Sequence, residues 1–351
     1  MMDTSRTTAA MRLALELARR GTRGVNPLVG AVIMDAEGTI LATGYHRGAG
    51  TPHAEADALS RLGTLDPAAA QAATMVVSLE PCNHSGRTGP CSRAIIDAGI
   101  GNVVFAVSDG GKTSGGGGEA LRSAGLNVDH GLLEAEARDL NHRWFTARAH
   151  HRPFTTLHLA QTLDGRIAAK DGTSQWITSP RSLLHAHQVR ASVGAIVVGT
   201  GTVFADDPRL NARNEHGEPF STQPRRIVMG LRDIPADAAL KADSNWEQVR
   251  TRDPYEVLAL ISARDIGHVL IEGGASIATA FLAADLVDEI FLYQAPLLLG
   301  AGRNSVGDLG VETLAAARRF RLDPIDGEAV RLLGPDILTH LEPLPAETGT
   351  P

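Results

Sequence analysis

A chain of 351 residues is long enough for about two domains of ordinary size, and 43% hydrophobic with 21% charged residues is the balance of a globular protein. A formal net charge of -7 and 4% aromatic residues offer neither a basic stripe nor a stacking platform, which argues against nucleic acid but not against a small phosphorylated partner held by a few local arginines. Two cysteines exclude a disulfide framework of the secreted kind, and no apolar run reaches the ~18 residues of a membrane span.

Residues 4–20 are predicted as a helix, capped by Thr4 or Ser5, with Met11, Leu13, Leu15 and Leu17 set among alanines. The segment lacks the apolar core and cleavage site of a signal peptide, so a cytoplasmic location is expected. Residues 31–34 and 40–45, joined through Asp35-Ala36-Glu37-Gly38, read as a hairpin. Residues 53–62 read as a helix with Pro52 suited to its first turn, which puts His53 and Glu55 there. The positive end of the helix dipole then favours an ionised Glu55. Residues 74–79 form a buried strand that delivers Glu80-Pro81-Cys82 at its carboxyl end, where α/β sheets place their sites. A helix over 91–98, a strand over 102–107 and further alternation to 128 complete a three-layer α/β domain. The Gly-rich run 109–118 is expected to be a surface loop able to close over a substrate. It lacks the Gly-Lys-Ser/Thr spacing of a phosphate loop.

The polar stretch 145–153 marks a boundary near 149, giving domains over 1–148 and 149–342 and a disordered Pro/Thr/Gly-rich tail over 343–351. In the second half, strands are predicted over 154–160, 195–198, 226–229 and 269–272, with 290–294 and 337–341 as edge or late strands. Helices are predicted over 180–192 and 277–284. No GxGxxG follows a strand, which disfavours a Rossmann dehydrogenase.

The chemistry-bearing residues lie in two short stretches. Taken singly, a buried Cys or a lone His is ordinary. Jointly, His53-Ala54-Glu55 at a helix start and Pro81-Cys82 at a strand end, with Cys91 following after eight intervening residues, match the signature of zinc-dependent deaminases. His53, Cys82 and Cys91 would bind Zn2+ and leave one position open, and Glu55 would be the catalytic proton shuttle that does not bind metal. A purely structural zinc site would need a fourth ligand, for which His84 is the only local candidate.

The stretch Ser78-Leu-Glu-Pro-Cys-Asn-His-Ser-Gly-Arg-Thr-Gly-Pro-Cys91 resembles the deaminase half of the bifunctional riboflavin-biosynthesis deaminase–reductases, as does Asn26-Pro-Leu-Val-Gly30. That resemblance implies a cytidine-deaminase-like domain. Its reaction is hydrolytic deamination of a 2,5-diamino-6-(5-phosphoribosylamino)pyrimidin-4-one, and Asn26, His84 and Arg87 contact the substrate. Gly89 stands where the family pattern has Pro, and the Gly-rich loop lacks the family's prolines.

Leu163-Asp-Gly-Arg-Ile167, Ser174-Gln-Trp-Ile-Thr-Ser179, Val198-Gly-Thr-Gly-Thr-Val203, Ala205-Asp-Asp-Pro208, Ile271-Glu-Gly-Gly274 and Ala295-Pro-Leu-Leu-Leu-Gly300, in that order, are similar to the reductase half of the same family. This half implies a dihydrofolate-reductase-like α/β domain that uses NADPH to reduce the ribosyl side chain to ribityl. By the same resemblance Ala160, Trp176, Thr202, Asp206, Gly273, Gly274, Ala275 and Ser276 contact the cofactor. Ser174, Arg190, Leu210, Arg213 and Glu272 contact the substrate, the two arginines through its phosphate. A helix start near Ser276 would offer N–H groups to a dinucleotide phosphate. The expected assembly is a homo-oligomer, dimer or tetramer. His158 replaces the family's Lys, with a charge expected to vary near neutral pH. Met229-Gly230-Leu231-Arg232 replaces an Asp-Ser turn and leaves Arg232 as a candidate to face the cofactor's 2′-phosphate. These two departures motivate the alternative of a deaminase whose reductase-like half is altered or inactive.

Overall fold

A computed structural model describes residues 4–21, 26–48, 50–84, 89–111, 115–324 and 328–344. The chain divides into two compact units, Met1–Thr146 and Ala147–Pro351.

The first unit runs α1 (Thr4–Ala18), β1 (Gly30–Met34), β2 (Ile40–Tyr45), α2 (Ala54–Arg61), α3 (Pro67–Ala72), β3 (Thr74–Val77), α4 (Cys91–Asp97), β4 (Asn102–Phe105), α5 (Gly117–Ser123), β5 (Asn127–His130) and α6 (Glu134–Leu140); α7 (His142–His150) crosses the division. Five strands form one sheet in the order β2-β1-β3-β4-β5. β1 is antiparallel to β2 and β3, and β3, β4 and β5 are parallel. Every residue of β1 and β3 is buried, the pattern of strands covered on both faces. Met11, Ile33, Met75, Ile95, Ile100 and Leu121 fill the space between layers. The helix over 67–72 is absent from the sequence expectations. It starts because Asp66 accepts from the Ala68 and Ala69 N–H groups and Pro67 takes the first position.

α2 begins one residue later than expected. His53 is its N-cap with extended backbone (ψ 161°), so Pro52 precedes the helix and only Glu55 lies in the first turn. Buried Asp57 fixes α2 to β2: it accepts from the Tyr45 N–H and pairs with Arg47 and Arg61.

The second unit runs β6 (Phe154–Thr162), β7 (Arg166–Ala168), α8 (Pro180–Ala191), β8 (Ala195–Gly199), α9 (Thr200–Asp206), β9 (Arg225–Met229), β10 (Trp246–Val249), α10 (Pro254–Ser262), β11 (His268–Glu272), α11 (Ala275–Ala283), β12 (Glu289–Ala295), β13 (Arg303–Asn304), β14 (Phe320–Leu322), β15 (Val330–Leu333) and β16 (Asp336–Pro343). Its main sheet has nine strands in the order β10-β9-β8-β11-β6-β12-β16-β14, with β15 also pairing with β16. Pairing is parallel from β10 to β12 and antiparallel beyond. Of the expectation that these two strands are edge or late, the second alternative holds: β12 and β16 come late in the chain and lie inside the sheet. Their apolar runs are no longer than those of an edge, but burial of Tyr293 and Leu338 comes from neighbours that lie far away in sequence. The last strand also extends through Pro343, so the start of the expected tail is ordered sheet. Residues 345–351 of that tail lie outside the described residues.

Register sets up the second site. Glu272 pairs with His158 across β11 and β6, and Tyr293 with Ala160 across β12 and β6. α8 is started by Ser179 and anchored by buried Asp336, which accepts from the Ser179 N–H and the Ser182 hydroxyl, both at 2.6 Å.

Candidate functional sites in the two units

In the first unit, the end of β3 and the starts of α2 and α4 bring three soft donors together. The ligand atoms of His53, Cys82 and Cys91 lie within 4.8 Å of one another. His53 Nδ1 is 3.5 Å from Cys82 Sγ and 3.3 Å from Cys91 Sγ. Tetrahedral zinc, with Zn–N near 2.1 Å and Zn–S near 2.3 Å, calls for about 3.6 Å between such atoms, so the donor set fits the ion. Among the described residues no fourth His, Cys, Asp or Glu joins the group, and His84 is not part of it. That leaves the open position of a catalytic site rather than the closed set of a structural one.

The thiol of Cys91 donates to Cys82 Sγ and, with His53, holds the Cys82 thiol down at about 4; Cys91 is pushed up by the same bond and by burial. The Cys91 N–H also points at Cys82 Sγ, 3.4 Å away, as helix starts do towards thiolates. Bonding to Cys82 raises the pKa of His53. Glu55 is 3% exposed, and burial pushes its carboxyl up to about 7. Burial thus opposes the ionised form that the helix start favours. Desolvation outweighs the helix start here, and a dication next to it would draw the value back down.

His46, which sequence reasoning passed over, packs its ring edge-on to His53 with centroids 5.4 Å apart. Its Nδ1 donates to the Pro52 carbonyl and its Nε2 accepts from Asn26 Nδ2, both at 3.0 Å. Burial lowers its pKa, so it stays neutral. Asn26 thus reaches the site through His46. His84 Nδ1 is buried with no hydrogen-bond partner among the described residues, a polar atom of the kind a ligand satisfies. Arg87 lies outside the described residues, as do residues 112–114 of the Gly-rich loop. Glu80 acts as a strut: its carboxylate accepts from the Asp109 N–H at 3.1 Å and the Gly118 N–H at 2.9 Å.

In the second unit, a cavity of about 1140 Å³ opens at the carboxyl ends of the parallel strands β8, β9 and β11. Ala160, Ser174, Trp176, Arg190, Thr202, Asp206, Leu210, Arg213, Glu272 and the Gly273–Ser276 turn all line it. Trp176 is 69% exposed at its mouth, which is where a ligand contact belongs and a packing residue does not. The Ser174 hydroxyl donates to Asp206 at 3.2 Å. Gly274 caps α11, so that helix begins at Ala275, one residue before the expected start.

Arg190 is paired within the protein. Its Nε and Nη2 donate to Glu272 at 3.0 and 2.6 Å, and its Nη1 to the Asn211 carbonyl at 3.3 Å. Three of its five N–H groups are thus used inside the protein, and one on each of Nη1 and Nη2 is left for a ligand. Arg213 Nε is buried without a partner among the described residues. Burial opposes charge on both members of the Arg190–Glu272 pair, but pairing outweighs it, so Glu272 is held below the ordinary carboxylate range and Arg190 raised. His158 lines the same wall with its ring 4.6 Å from that of Tyr293. Burial lowers its pKa from the ordinary imidazole value, against the opposing pull of Glu272. The Tyr293 hydroxyl meets His185 Nδ1 at 2.7 Å.

Comparison with known proteins gives the same division. The family model described as the cytidine and deoxycytidylate deaminase zinc-binding region matches residues 4–107, and that of the RibD C-terminal domain matches residues 153–328. The chain is 44% identical over 336 residues to the riboflavin biosynthesis protein RibD of Mycobacterium tuberculosis (strain H37Rv), covering 95% of this chain and 96% of that protein. The solved structure of Acinetobacter baumannii RibD superposes with TM-score 0.87 at 34% identity, over 98% of this chain and all of that one. A diaminohydroxyphosphoribosylaminopyrimidine deaminase/5-amino-6-(5-phosphoribosylamino)uracil reductase from Thermotoga maritima superposes with TM-score 0.78 at 30% identity, over 97% of this chain and 99% of that one. No helix among the described residues is long and apolar enough to cross a membrane.

Proposed function

The chain belongs to the riboflavin biosynthesis protein RibD family, and from that premise we propose how its residues divide the work of two reactions. It is a bifunctional enzyme, a zinc-dependent deaminase followed by an NADPH-dependent reductase. The reading of the second half as an altered or inactive reductase is not favoured.

The substrate of the first unit is the diaminopyrimidinone bearing a 5-phosphoribosylamino group, the compound named for the Thermotoga relative. His53, Cys82 and Cys91 would hold the zinc ion, which when bound would supply an activated water. Glu55 takes the water proton and passes it to the departing amine, so the ring carbon gains oxygen and ammonia leaves. Glu55 is buried beside the three donors, where it can reach that proton. Asn26, His84 and Arg87 grip the substrate, and the unpartnered His84 Nδ1 supports this for His84.

In the second unit NADPH supplies the hydride for the ribose C1. Ala160, Trp176, Thr202, Asp206 and the Gly273–Ser276 turn hold the dinucleotide. Ser174, Leu210 and Arg213 contact the substrate, with Arg213 on its phosphate. Arg190 and Glu272, paired in the cavity floor, contact the substrate as well, Arg190 through the N–H groups that its bonds within the protein leave free. The domains we assign are 1–148 and 149–342. Exposed Leu322, Val330 and Leu332 on neighbouring strands support a homo-oligomer, which light scattering tests. Two free thiols in the zinc site go with a reducing, cytoplasmic setting.

The observation that carries the reading is the open three-donor cluster with Glu55 buried against it. The test is incubation with the diaminopyrimidinone followed by mass spectrometry. Without NADPH, one amine should be replaced by oxygen; with NADPH, two hydrogens should be added as well. An unchanged substrate mass in both arms would refute the assignment.

A further inference from the structure

Beyond the residues assigned above, the cavity of the second unit has a cationic rim that the reading so far leaves unused. β9 and β10 are parallel neighbours, and both point their carboxyl ends at the cavity. The turn after β9 presents Arg232 to the cavity, and the segment after β10 presents Arg252. Neither forms an ion pair among the described residues, whereas neighbouring Arg250 is paired with Asp233.

The turn is built to hold Arg232 in place. The Gly230 N–H donates to the Val249 carbonyl at 3.0 Å. Gln248 Nε2 donates to the carbonyls of Gly230 at 2.9 Å and Arg232 at 2.7 Å. Gly230 has φ +141°, and a Cβ there would stand 2.9 Å from the Thr200 side chain, so only glycine lets the turn close on the start of α9. The Arg232 guanidinium lies 4.6 Å over the Phe204 ring, which orients its plane without using its donors. Its Nη2 reaches to 3.7 Å from the Cβ position of Gly201.

The Gly273–Ser276 turn, assigned above to the dinucleotide, and the β9 turn both close on the start of α9, Gly273 at Thr202 and Gly230 at Thr200, which puts Arg232 on the dinucleotide's side of the cavity. A site for NADH offers a carboxylate to the adenosine ribose hydroxyls, whereas a site for NADPH offers an arginine to the 2′-phosphate. The β9 turn offers Arg232, and the nearest carboxylate in sequence, Asp233, is occupied by Arg250. We infer that Arg232, assisted by Arg252, binds the 2′-phosphate of NADPH and sets the preference for NADPH over NADH. Arg232 takes the bidentate role, and Arg252 adds charge from the adjoining strand. This rests on the reading of the second unit as a reductase.

Two measurements test it. In calorimetry with the full chain, Arg232→Ala should weaken binding of adenosine 2′,5′-bisphosphate roughly 10- to 100-fold and leave AMP binding unchanged. In turnover of the deaminated pyrimidine, Arg232→Ala should lose the same factor in kcat/KM with NADPH through KM, and nothing with NADH. Arg252→Ala should show a smaller loss of the same kind. Arg232 is exposed, so its replacement leaves the core intact. Equal losses for both cofactors, or an unchanged bisphosphate affinity, would overturn the inference. A wild-type chain that binds the bisphosphate but oxidises neither cofactor would instead defeat the reductase reading.

Discussion

At Glu55 two local forces compete, and their sizes decide its chemistry. A carboxylate in the first turn of a helix gains up to about 1 kcal/mol from the dipole. Burial at 3% exposure costs more and lifts the group to about 7. Glu55→Gln keeps the shape but cannot accept a proton. The variant should retain its zinc by metal analysis and lose deamination by roughly 10²–10⁴-fold. Reduction of pre-deaminated substrate should persist, and parallel loss of both activities would contradict separate sites. Cys82→Ser replaces a thiolate donor and should lower zinc content, while undiminished zinc would remove Cys82 from the ligand set. In the second unit Arg190→Ala would leave Glu272 as an unpaired buried charge. Removing one partner of such a pair costs about 3–5 kcal/mol, readable as a lowered melting temperature. The double replacement Arg190→Met with Glu272→Leu should recover most of that. A single variant as stable as the wild type would show that the pair is not a buried unit.

The zinc site depends on elements held at fixed separations. α5 begins at Gly117, where a Cβ would stand 1.7 Å from the Pro81 carbonyl oxygen, next to Cys82. Gly117→Ala must therefore displace either α5 or the loop that carries Cys82. Such overpacking costs about 1–3 kcal/mol, and zinc affinity should fall in a competition titration with a chelator. Unchanged affinity would mean that α5 does not support the loop. This contact also shows what was legible in the sequence. His53, Glu55, Cys82 and Cys91 could be read because local elements carry them: a helix start, a strand end, a second helix start. The strands could be read from their apolar runs, and the helix over 180–192 from its Ser-Pro start. His46, the Glu80 strut and the Gly117 approach left no local signal, because their partners lie across the fold. The interior place of β12 and β16 was hidden for the same reason, since strand order is set by pairing between distant segments. The Arg190–Glu272 pairing was hidden too, because nothing near Arg190 in sequence announces Glu272.

At the scale of the whole molecule, the two units carry different chemistry and should respond differently to pH. On α8, His185 is held at about 4 by burial and by Arg331, and His187 at about 4 by burial and by Arg190 and Arg213. Burial lowers His158 as well. In the unfolded chain these imidazoles titrate near 6.5. Between about 6.5 and about 4 the unfolded chain therefore binds protons that the folded second unit refuses. Its stability should be at its full value above pH 6.5 and fall as pH drops through that window. The depressed carboxyl of Glu272 acts in the same sense further down, where protonation breaks its pairing with Arg190. Trp176 and Trp246 lie in the second unit, so its melting can be followed by their fluorescence in a Trp144→Phe background. The transition should move to lower temperature in steps from pH 7 to pH 5, and His187→Gln should make the dependence shallower by removing one of the titrating groups. A transition that holds its temperature from pH 7 to pH 5 would mean that these histidines are not buried neutral. The α8 wall of the cavity, with His187 beside Arg213, would then be charged.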